Sequence, residues 1–218
     1  MIMGIFAAIS DLLFPPKCML CRKILRGREG AVCEACRAAL LGQETVRTGT
    51  YFSRCAVAMA YEGKVRDAII RFKFEDEPGY ATEFGKILAR CIRQEFAGQY
   101  DLITWVPVSE KRRKKRGYDQ AMLLAMAAAL ELEDVAVETL QKTAHNAAQS
   151  SLTDTEARKN NVRGAYAVPE SELVAGKRIL LIDDIITTGS TLDEAARTLL
   201  EAGAKEVLGA ALAQPAEE

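Results

Sequence analysis

The sequence lacks the apolar run of roughly 18 residues that a helix needs to span a bilayer, so we predict no transmembrane segment. Its start, MIMGIFAAISDLLFPP, lacks the basic first segment and the small-residue cleavage site of a secretory signal. We therefore predict a cytoplasmic protein whose residues 1–16 form a short amphipathic helix packed on the body. Peripheral contact of this helix with a membrane surface, or docking on a partner, is the alternative.

The sequence also has little net charge, and it shows no internal repeat and no low-complexity tract. Its formal net charge is −1, and 27% of its 218 residues are charged. This composition is typical of an ordinary globular protein and indicates no particular partner. The GxxxxGK[ST] signature of a P-loop and the GxGxxG signature of a dinucleotide site are both missing, which argues against those two nucleotide-binding classes.

Six cysteines are present, and four of them follow the pattern C-x2-C-x11-C-x2-C. Without an export signal, this spacing favours a metal site over disulfides. Four thiolates complete a tetrahedral zinc site with no open position for water, so the predicted zinc is structural. An iron–sulfur centre or a redox pair is the alternative. We predict a zinc-ribbon module at residues 17–42, too small to fold without its metal, with the ligands Cys18, Cys21, Cys33 and Cys36.

Residues 43–218 alternate strand and helix patterns, which predicts an α/β domain with a parallel sheet flanked by helices. Strand patterns occur in YFSRCAVAMAYEG, DLITWVPV, VAVETLQKT, RGAYAVPE, RILLIDDII and EVLGAALA. Helix patterns occur in KVRDAIIRFKFEDE, YATEFGKILARCIRQEFA, YDQAMLLAMAAALEL and residues 192–202, closed by Gly203. Cys55, Cys91 and Trp105 are predicted to lie in the core. Residues 143–161 form a long polar segment, typical of a functional or disordered loop.

The stretch ILLIDDIITTGST, residues 179–191, concentrates the chemistry of the chain. Asp183 and Asp184 end an apolar strand, at the sheet edge where α/β proteins bind ligands. The turn that follows opens a helix, whose N–H groups suit phosphate, and a capping box of Thr191 and Glu194 is predicted. One loop could thus hold a sugar phosphate, with the acids on ribose hydroxyls or a metal ion. An ordinary turn with a solvated acidic pair is the alternative.

Six consecutive bases, KRRKKR, occupy residues 111–116. A solvated surface, binding to a nucleic-acid backbone and binding to pyrophosphate remain open, and they can coexist because six adjacent bases cannot all face one site. Nucleic-acid binding would weaken steeply with added salt. The single histidine, His145, lies in the long polar loop, and we expect an exposed bystander there in preference to an acid or base.

On these motifs the sequence resembles the ComF family, phosphoribosyltransferase-like proteins linked to competence for DNA uptake. ILLIDDIITTGST resembles the phosphoribosyl pyrophosphate (PRPP) loop of type I phosphoribosyltransferases. The resemblance covers nearly the whole chain. The sequence departs from the family at Asp119, where the family usually has asparagine, and at Lys142, where the family usually has arginine. The matching residues are the four cysteines, VPVSEKRRKKRGYDQA, GAYAV, and the spaced residues Gln149, Leu152, Arg158 and Asn161.

The resemblance implies a type I phosphoribosyltransferase-like fold, with a hood at about residues 51–100 and a core at about 101–218. It implies transfer of ribose 5-phosphate from PRPP to a nitrogenous acceptor, with Mg²⁺ bridging the pyrophosphate and ribose oxygens. A non-catalytic module that senses PRPP or a nucleotide and binds single-stranded DNA or a competence-machinery protein is the alternative. A DNA-handling protein with a vestigial site is a third possibility. The acceptor base stays open, and the sheet-edge and hood surfaces are compatible with a homodimer.

The resemblance also assigns residues to roles. The catalytic candidates are Asp183 and Asp184, which would stabilise an oxocarbenium-like state, together with Arg158. The PRPP loop would comprise both acids with Ile186, Thr187, Thr188, Gly189, Ser190 and Thr191. The pyrophosphate loop would use Val108, Ser109, Arg112, Arg113 and Arg116. A lid at residues 143–161 would close over the ligand through Gln149, Arg158 and Asn161. Lys73 and Phe74 match a family lysine–aromatic pair, either a helix end or a cap over the sugar or base.

Overall fold

The computed structural model describes residues 15–25, 30–75, 77–143 and 164–216. Nearly all of the predicted N-terminal helix, residues 1–16, lies outside these ranges. The lid candidates Gln149, Arg158 and Asn161 lie outside them as well, as does His145. No helix within the described ranges is both long and apolar enough to cross a bilayer.

Strands and helices alternate along the described residues, as the sequence patterns predict. The strands are β1 (Thr45–Arg47), β2 (Cys55–Ala60), β3 (Leu102–Trp105), β4 (Gln141–Lys142), β5 (Tyr166–Ala167), β6 (Arg178–Ile185) and β7 (Glu206–Gln214). The α-helices are α1 (Glu34–Leu40), α2 (Gly63–Phe74), α3 (Tyr80–Phe96), α4 (Glu110–Arg116), α5 (Gln120–Glu131) and α6 (Ser190–Glu201).

The central sheet has the strand order β1-β2-β7-β6-β3. Its last four members are parallel, and β1 pairs antiparallel at the edge. This arrangement confirms the predicted α/β class. Strand β2, from the segment assigned to a hood, lies inside this sheet, with Cys55 opposite Gly209. Helices cover both faces of the sheet, so the sequences of β6 and β7 are nearly continuous apolar runs.

Two layers of side chains flank the sheet. One cluster joins α2, α3 and α5 to Leu180 and Ile182 of β6. The other joins α6 to Ile179 and Leu181, on the opposite face of the same strand. The predicted core residues Cys55, Cys91 and Trp105 are all buried, which confirms the prediction for them.

Two predicted elements differ from the structure. The strands expected in VAVETLQKT and RGAYAVPE are reduced to β4 and β5, a two-residue antiparallel pair in which Lys142 faces Tyr166. The basic run, treated as a loop in the sequence, forms helix α4. Its N-cap is Ser109, and Gly117, at φ 83° in the left-handed region, ends it.

Candidate functional site

Strand β6 carries the two adjacent acids on opposite faces of the sheet. Side chains alternate along a strand, so Asp184 lies on the side of Leu180 and Ile182, toward α2. Asp183 lies on the side of Leu181. The pleat therefore separates two carboxylates that would repel each other strongly if they pointed the same way.

Asp184 forms an ion pair with Lys73 at the end of α2. The distance from Lys73 Nζ to Asp184 Oδ2 is 2.8 Å, and the two side chains are only 14% and 15% exposed. The same helical turn contacts the end of α4 and the segment after it. The Arg116 guanidinium lies 4.8 Å from the centre of the Phe74 ring, and the Tyr118 hydroxyl donates to the Phe72 carbonyl. The end of α2 thus joins the acid pair to the predicted pyrophosphate loop.

Asp183 faces a second lysine, from the short β4–β5 pair. Burial and the neighbouring Asp184 carboxylate raise the pKa of Asp183 to about 8, and the charges of Lys73 and Lys142 oppose this shift. Lys142 Nζ donates to the Tyr166 hydroxyl at 3.3 Å. Burial lowers the pKa of Lys142, as does the nearby charge of Arg112. The lysine that departs from the family pattern is therefore a cation of this site.

The residues predicted to form a PRPP loop lie in the turn from β6 into α6. The Ile186 N–H donates to Ala213, which extends the sheet pairing to the start of the turn. Gly189 has φ 81°, a left-handed conformation that suits glycine. The hydroxyl oxygens of Thr188 and Ser190 lie 2.9 Å apart. Asp183 and the turn line a hollow of about 20 Å³.

The predicted capping box of α6 is wrong. Gly189 occupies the N-cap and provides no side chain to cap the helix. The Glu194 carboxylate instead accepts from the Gly164 N–H and pairs with Arg197. The Glu194 side chain, which the sequence spacing assigned to the cap, therefore contacts the segment before β5 instead.

Asp119 fixes the start of the predicted pyrophosphate loop. Its Oδ2 accepts from the Val108 N–H at 2.9 Å, and its Oδ1 accepts from the Met122 N–H at 3.1 Å, at the N-cap of α5. The Val108 N–H is therefore used within the protein. A carboxylate offers an acceptor to each of two N–H donors, whereas an asparagine amide offers only one oxygen. This geometry gives the departure from asparagine a structural role.

Helix α4 distributes the six bases among different surroundings. Five of them, Lys111 to Lys115, are exposed, and Arg116 is half-buried. Arg116 donates to Gln120 Oε1 at 2.7 Å, in addition to its contact with Phe74. Arg112 acts electrostatically on Lys142 and Tyr166, which places its charge near these two residues of the site. The three arginines predicted for the pyrophosphate loop thus have different surroundings: Arg112 lies near the site, Arg116 contacts other protein groups, and Arg113 is exposed.

The four ribbon cysteines meet at one point. Their sulfur atoms all lie within 4.8 Å of one another, and the sulfurs of Cys21 and Cys33 are 3.7 Å apart. A tetrahedral zinc ion with bonds of about 2.3 Å places its sulfur ligands roughly 3.8 Å apart, so the cluster fits zinc. The first pair lies in a turn closed by a Lys17–Ile24 bridge, and the second pair lies at the start of α1.

The sequence patterns missed two residues of the site. Tyr166, within GAYAV, is buried beside Lys142 and Asp183, and burial raises its pKa. Arg47, from the edge strand β1, donates from Nη1 to the Thr187 carbonyl at 2.7 Å. No short motif marks Arg47, because it reaches the loop from 140 residues away.

Comparison with known proteins finds the same two parts. The phosphoribosyl transferase domain model matches residues 118–218, and the double zinc ribbon domain model matches residues 9–68. The chain is 25% identical to competence protein ComFC of Bacillus subtilis (strain 168), over 85% of this chain and 72% of that protein. It is 27% identical to DNA utilization protein YhgH of Escherichia coli (strain K12), over 90% and 96% of the two.

The chain is similar over most of its length to ComF-type competence and DNA utilization proteins. The four clustered cysteines suit one structural zinc ion, since Cys55, also within the ribbon match, is buried in the central sheet. Among solved structures, the glutamine PRPP amidotransferase of B. subtilis, complexed with ADP and GMP, is similar at 24% identity and a TM-score of 0.45. The similarity covers 65% of this chain and 30% of that one.

Proposed function

We propose that this chain has a ComF-type role, binds PRPP with Mg²⁺ in the cytoplasm and transfers ribose 5-phosphate to a nitrogenous acceptor, with release of pyrophosphate. The observation that carries the proposal is the carboxyl end of β6. Two acids lie there on opposite faces, each near a lysine, and lead into a glycine-hinged turn at the start of α6. The region that matches the phosphoribosyl transferase domain contains both the acids and the turn.

In this proposal the 5′-phosphate binds the turn of residues 187–191. The first N–H groups of α6 have no partner within the helix, and the helix start carries a partial positive charge. The hydroxyls of Thr188 and Ser190 are close enough to donate to one phosphate. The ribose hydroxyls donate to Asp183 and Asp184, whose oxygens are also the ligands that Mg²⁺ prefers. Bound Mg²⁺ would neutralise charge on the pyrophosphate.

The proposed reaction forms a bond between the acceptor nitrogen and the anomeric carbon of the ribose. The bond from that carbon to pyrophosphate breaks, and its electron pair leaves with the pyrophosphate, while the acceptor nitrogen loses its proton to solvent. Positive charge that develops on the ribose is stabilised by the two carboxylates. The charge of Arg112, near Lys142 and Tyr166, stabilises the departing anion.

The test is binding of PRPP with Mg²⁺, measured by thermal shift. We expect wild-type protein to be stabilised, because a ligand that binds only the folded state raises the melting temperature. The double variant Asp183→Asn/Asp184→Asn should lose the shift. Release of pyrophosphate with a panel of nitrogenous bases then tests turnover. An unchanged melting temperature of the wild-type protein would contradict PRPP binding.

A second candidate is a non-catalytic sensor of PRPP or a nucleotide that binds single-stranded DNA or a competence-machinery protein. The exposed bases of α4 favour it, and so does the similarity to proteins named for competence and DNA utilization. Fluorescence anisotropy with a labelled single strand at several salt concentrations tests DNA binding. Affinity should fall steeply with salt, and replacing Lys111, Arg113 and Lys115 by glutamine should reduce the salt slope. Arg112 is left intact to preserve the PRPP site.

A further inference from the structure

We infer that Arg47 positions the phosphate-binding turn and supplies the positive charge of the 5′-phosphate subsite. The inference rests on the proposed PRPP-binding function and names a residue for one part of that ligand. Arg47 belongs to β1, the edge strand that follows the zinc ribbon and carries no recognisable motif.

The turn itself has no cation. Residues 186–191 are isoleucine, three threonines, glycine and serine. The nearest charged side chain of its own helix is Asp193, an acid in the first turn of α6. A phosphate group bound at this turn would therefore bring negative charge next to a carboxylate. A compensating cation must come from another element.

Arg47 is placed to provide that charge. Its guanidinium donates to the Thr187 carbonyl at 2.7 Å, and the side chain is half-exposed. The peptide between Thr187 and Thr188 is trans, so its carbonyl and its N–H point in opposite directions. By holding the carbonyl, Arg47 fixes the direction of the Thr188 N–H. A guanidinium carries five donors in a rigid fork and stays charged at all physiological pH values.

The segment after Arg47 holds it against the turn. The Asp193 carboxylate accepts from the N–H groups of Thr50 and Tyr51, at 2.9 and 2.7 Å. These hydrogen bonds stabilise the Asp193 carboxylate, whose negative charge would otherwise repel a bound phosphate. The Phe52 ring is buried and lies 3.8 Å from where a Cβ on Gly189 would stand. Strand β1 and the turn after it therefore pack along the phosphate-binding turn and restrict its position.

Two roles for Arg47 predict different binding results. If Arg47 only held β1 in place, its loss would lower stability and weaken every ligand of the site together. If it serves the 5′-phosphate, its loss weakens ligands that carry this group. Pyrophosphate, which binds near Arg112 in the proposed function, would then keep its affinity.

The experiment measures the affinities of three ligands by calorimetry: ribose 5-phosphate, PRPP with Mg²⁺, and pyrophosphate with Mg²⁺. The variants are Arg47→Met, Arg47→Lys and a control, Arg66→Met, which replaces an exposed arginine on α2. We expect Arg47→Met to bind ribose 5-phosphate and PRPP about tenfold more weakly, because the turn loses the charge-assisted hydrogen bond to the Thr187 carbonyl that orients the Thr188 N–H, together with the nearby positive charge. Pyrophosphate should bind as in the wild type. Arg47→Lys should be intermediate, because lysine keeps the charge but loses the fork.

The other outcomes overturn the inference in distinguishable ways. Equal affinity of Arg47→Met and wild type for ribose 5-phosphate would overturn it and leave PRPP binding intact. An equal loss of all three ligands would reduce Arg47 to a structural residue. If the wild-type protein bound neither PRPP nor ribose 5-phosphate, the proposed function and this inference would both fail.

Discussion

At the scale of single residues, the site is organised by charge compensation. Asp184 is paired with Lys73 at 2.8 Å, whereas Asp183 is near Lys142 and Lys73 and has a pKa raised by burial and by its neighbour. A buried carboxylate with a raised pKa has an unfavourable ionised form. A bound cation such as Mg²⁺ would relieve that cost. The ligand-free protein therefore holds its acid pair in a state that favours binding of positive charge.

The raised pKa of Asp183 predicts that PRPP binding with Mg²⁺ depends on pH. An aspartate in the unfolded chain titrates near about 4, and Asp183 in the folded protein titrates at about 8. Metal-bound carboxylate must be ionised, so protons compete with Mg²⁺ below pH 8. We expect affinity to rise between pH 6 and pH 8, as calorimetry in buffers of matched ionic strength would measure.

The same shift predicts the pH dependence of stability, with the opposite trend. Between about pH 4 and pH 8 the folded, ligand-free protein binds more protons at Asp183 than the unfolded chain does. Its contribution to the free energy of unfolding therefore falls as pH rises through this window. Asp183→Asn should flatten both profiles, in urea unfolding and in binding. A wild-type profile identical to that of the variant would contradict the assignment.

The contribution of the second carboxylate oxygen of Asp119 to stability can be tested by one substitution. Asp119→Asn keeps one acceptor and places an amide NH₂ against the other backbone N–H, either at Val108 or at Met122. We expect the free energy of unfolding to fall by about 1–3 kcal/mol, the cost of an unsatisfied buried group. Urea unfolding measures it, with the exposed pair member Asp67→Asn as the control. An unchanged midpoint would mean that the loop relaxes around the amide.

At the scale of elements, helix α2 links the zinc ribbon to the acid pair. The Arg71 guanidinium donates to the carbonyls of Met19 and Leu20, between the first two cysteines, at 2.7 and 3.2 Å. Two residues later, Lys73 reaches Asp184. One helical turn thus contacts both functional parts of the chain, and its position depends on the ribbon.

Arg71→Met should weaken this link. We expect faster release of zinc to a chromophoric chelator and a fall of about 1–3 kcal/mol in the free energy of unfolding, because two carbonyls lose a charged donor. Arg66→Met, on an exposed part of the same helix, is the matched control. Zinc release at the wild-type rate would show that the zinc site is held by its four cysteines alone.

Elements also differ in how well their local sequence predicts them. Strand β6 and its turn were predictable, because an apolar run, two acids and a glycine lie within 13 residues. Helix α4 was not, because six neighbouring like charges oppose a helix; the cap at Ser109 and the left-handed Gly117 allow it. The position of β2 in the sheet could not be predicted from its local sequence either, because its partner β7 lies about 150 residues away.

At the scale of the whole molecule, the ribbon and the α/β domain share one core. Met19, Leu20 and Leu40 are buried in the same cluster as Phe72 and Phe84. A module that shares its apolar core with its neighbour does not unfold independently of it. The zinc site therefore contributes to the stability of the entire chain.

Removal of zinc should accordingly destabilise the whole protein. We expect a chelator to lower the melting temperature in a single transition, and to alter the near-ultraviolet circular dichroism of Trp105, which lies in β3 far from the cysteines in sequence. Re-addition of zinc should restore both signals, and about one zinc per chain should be bound. An unchanged Trp105 signal in the zinc-free protein would indicate two independent units.

The sequence by itself determined the four thiolates, the acid pair with its glycine turn, and the alternation of strands and helices, because each depends on residues close together in the chain. Only the tertiary structure decided which cations meet those acids, that Glu194 leaves its helix end, and that Arg47 reaches the turn. The physical reason is that charge pairing and parallel strand pairing depend on distance in space, and residues far apart in the chain are brought together only when the core is packed.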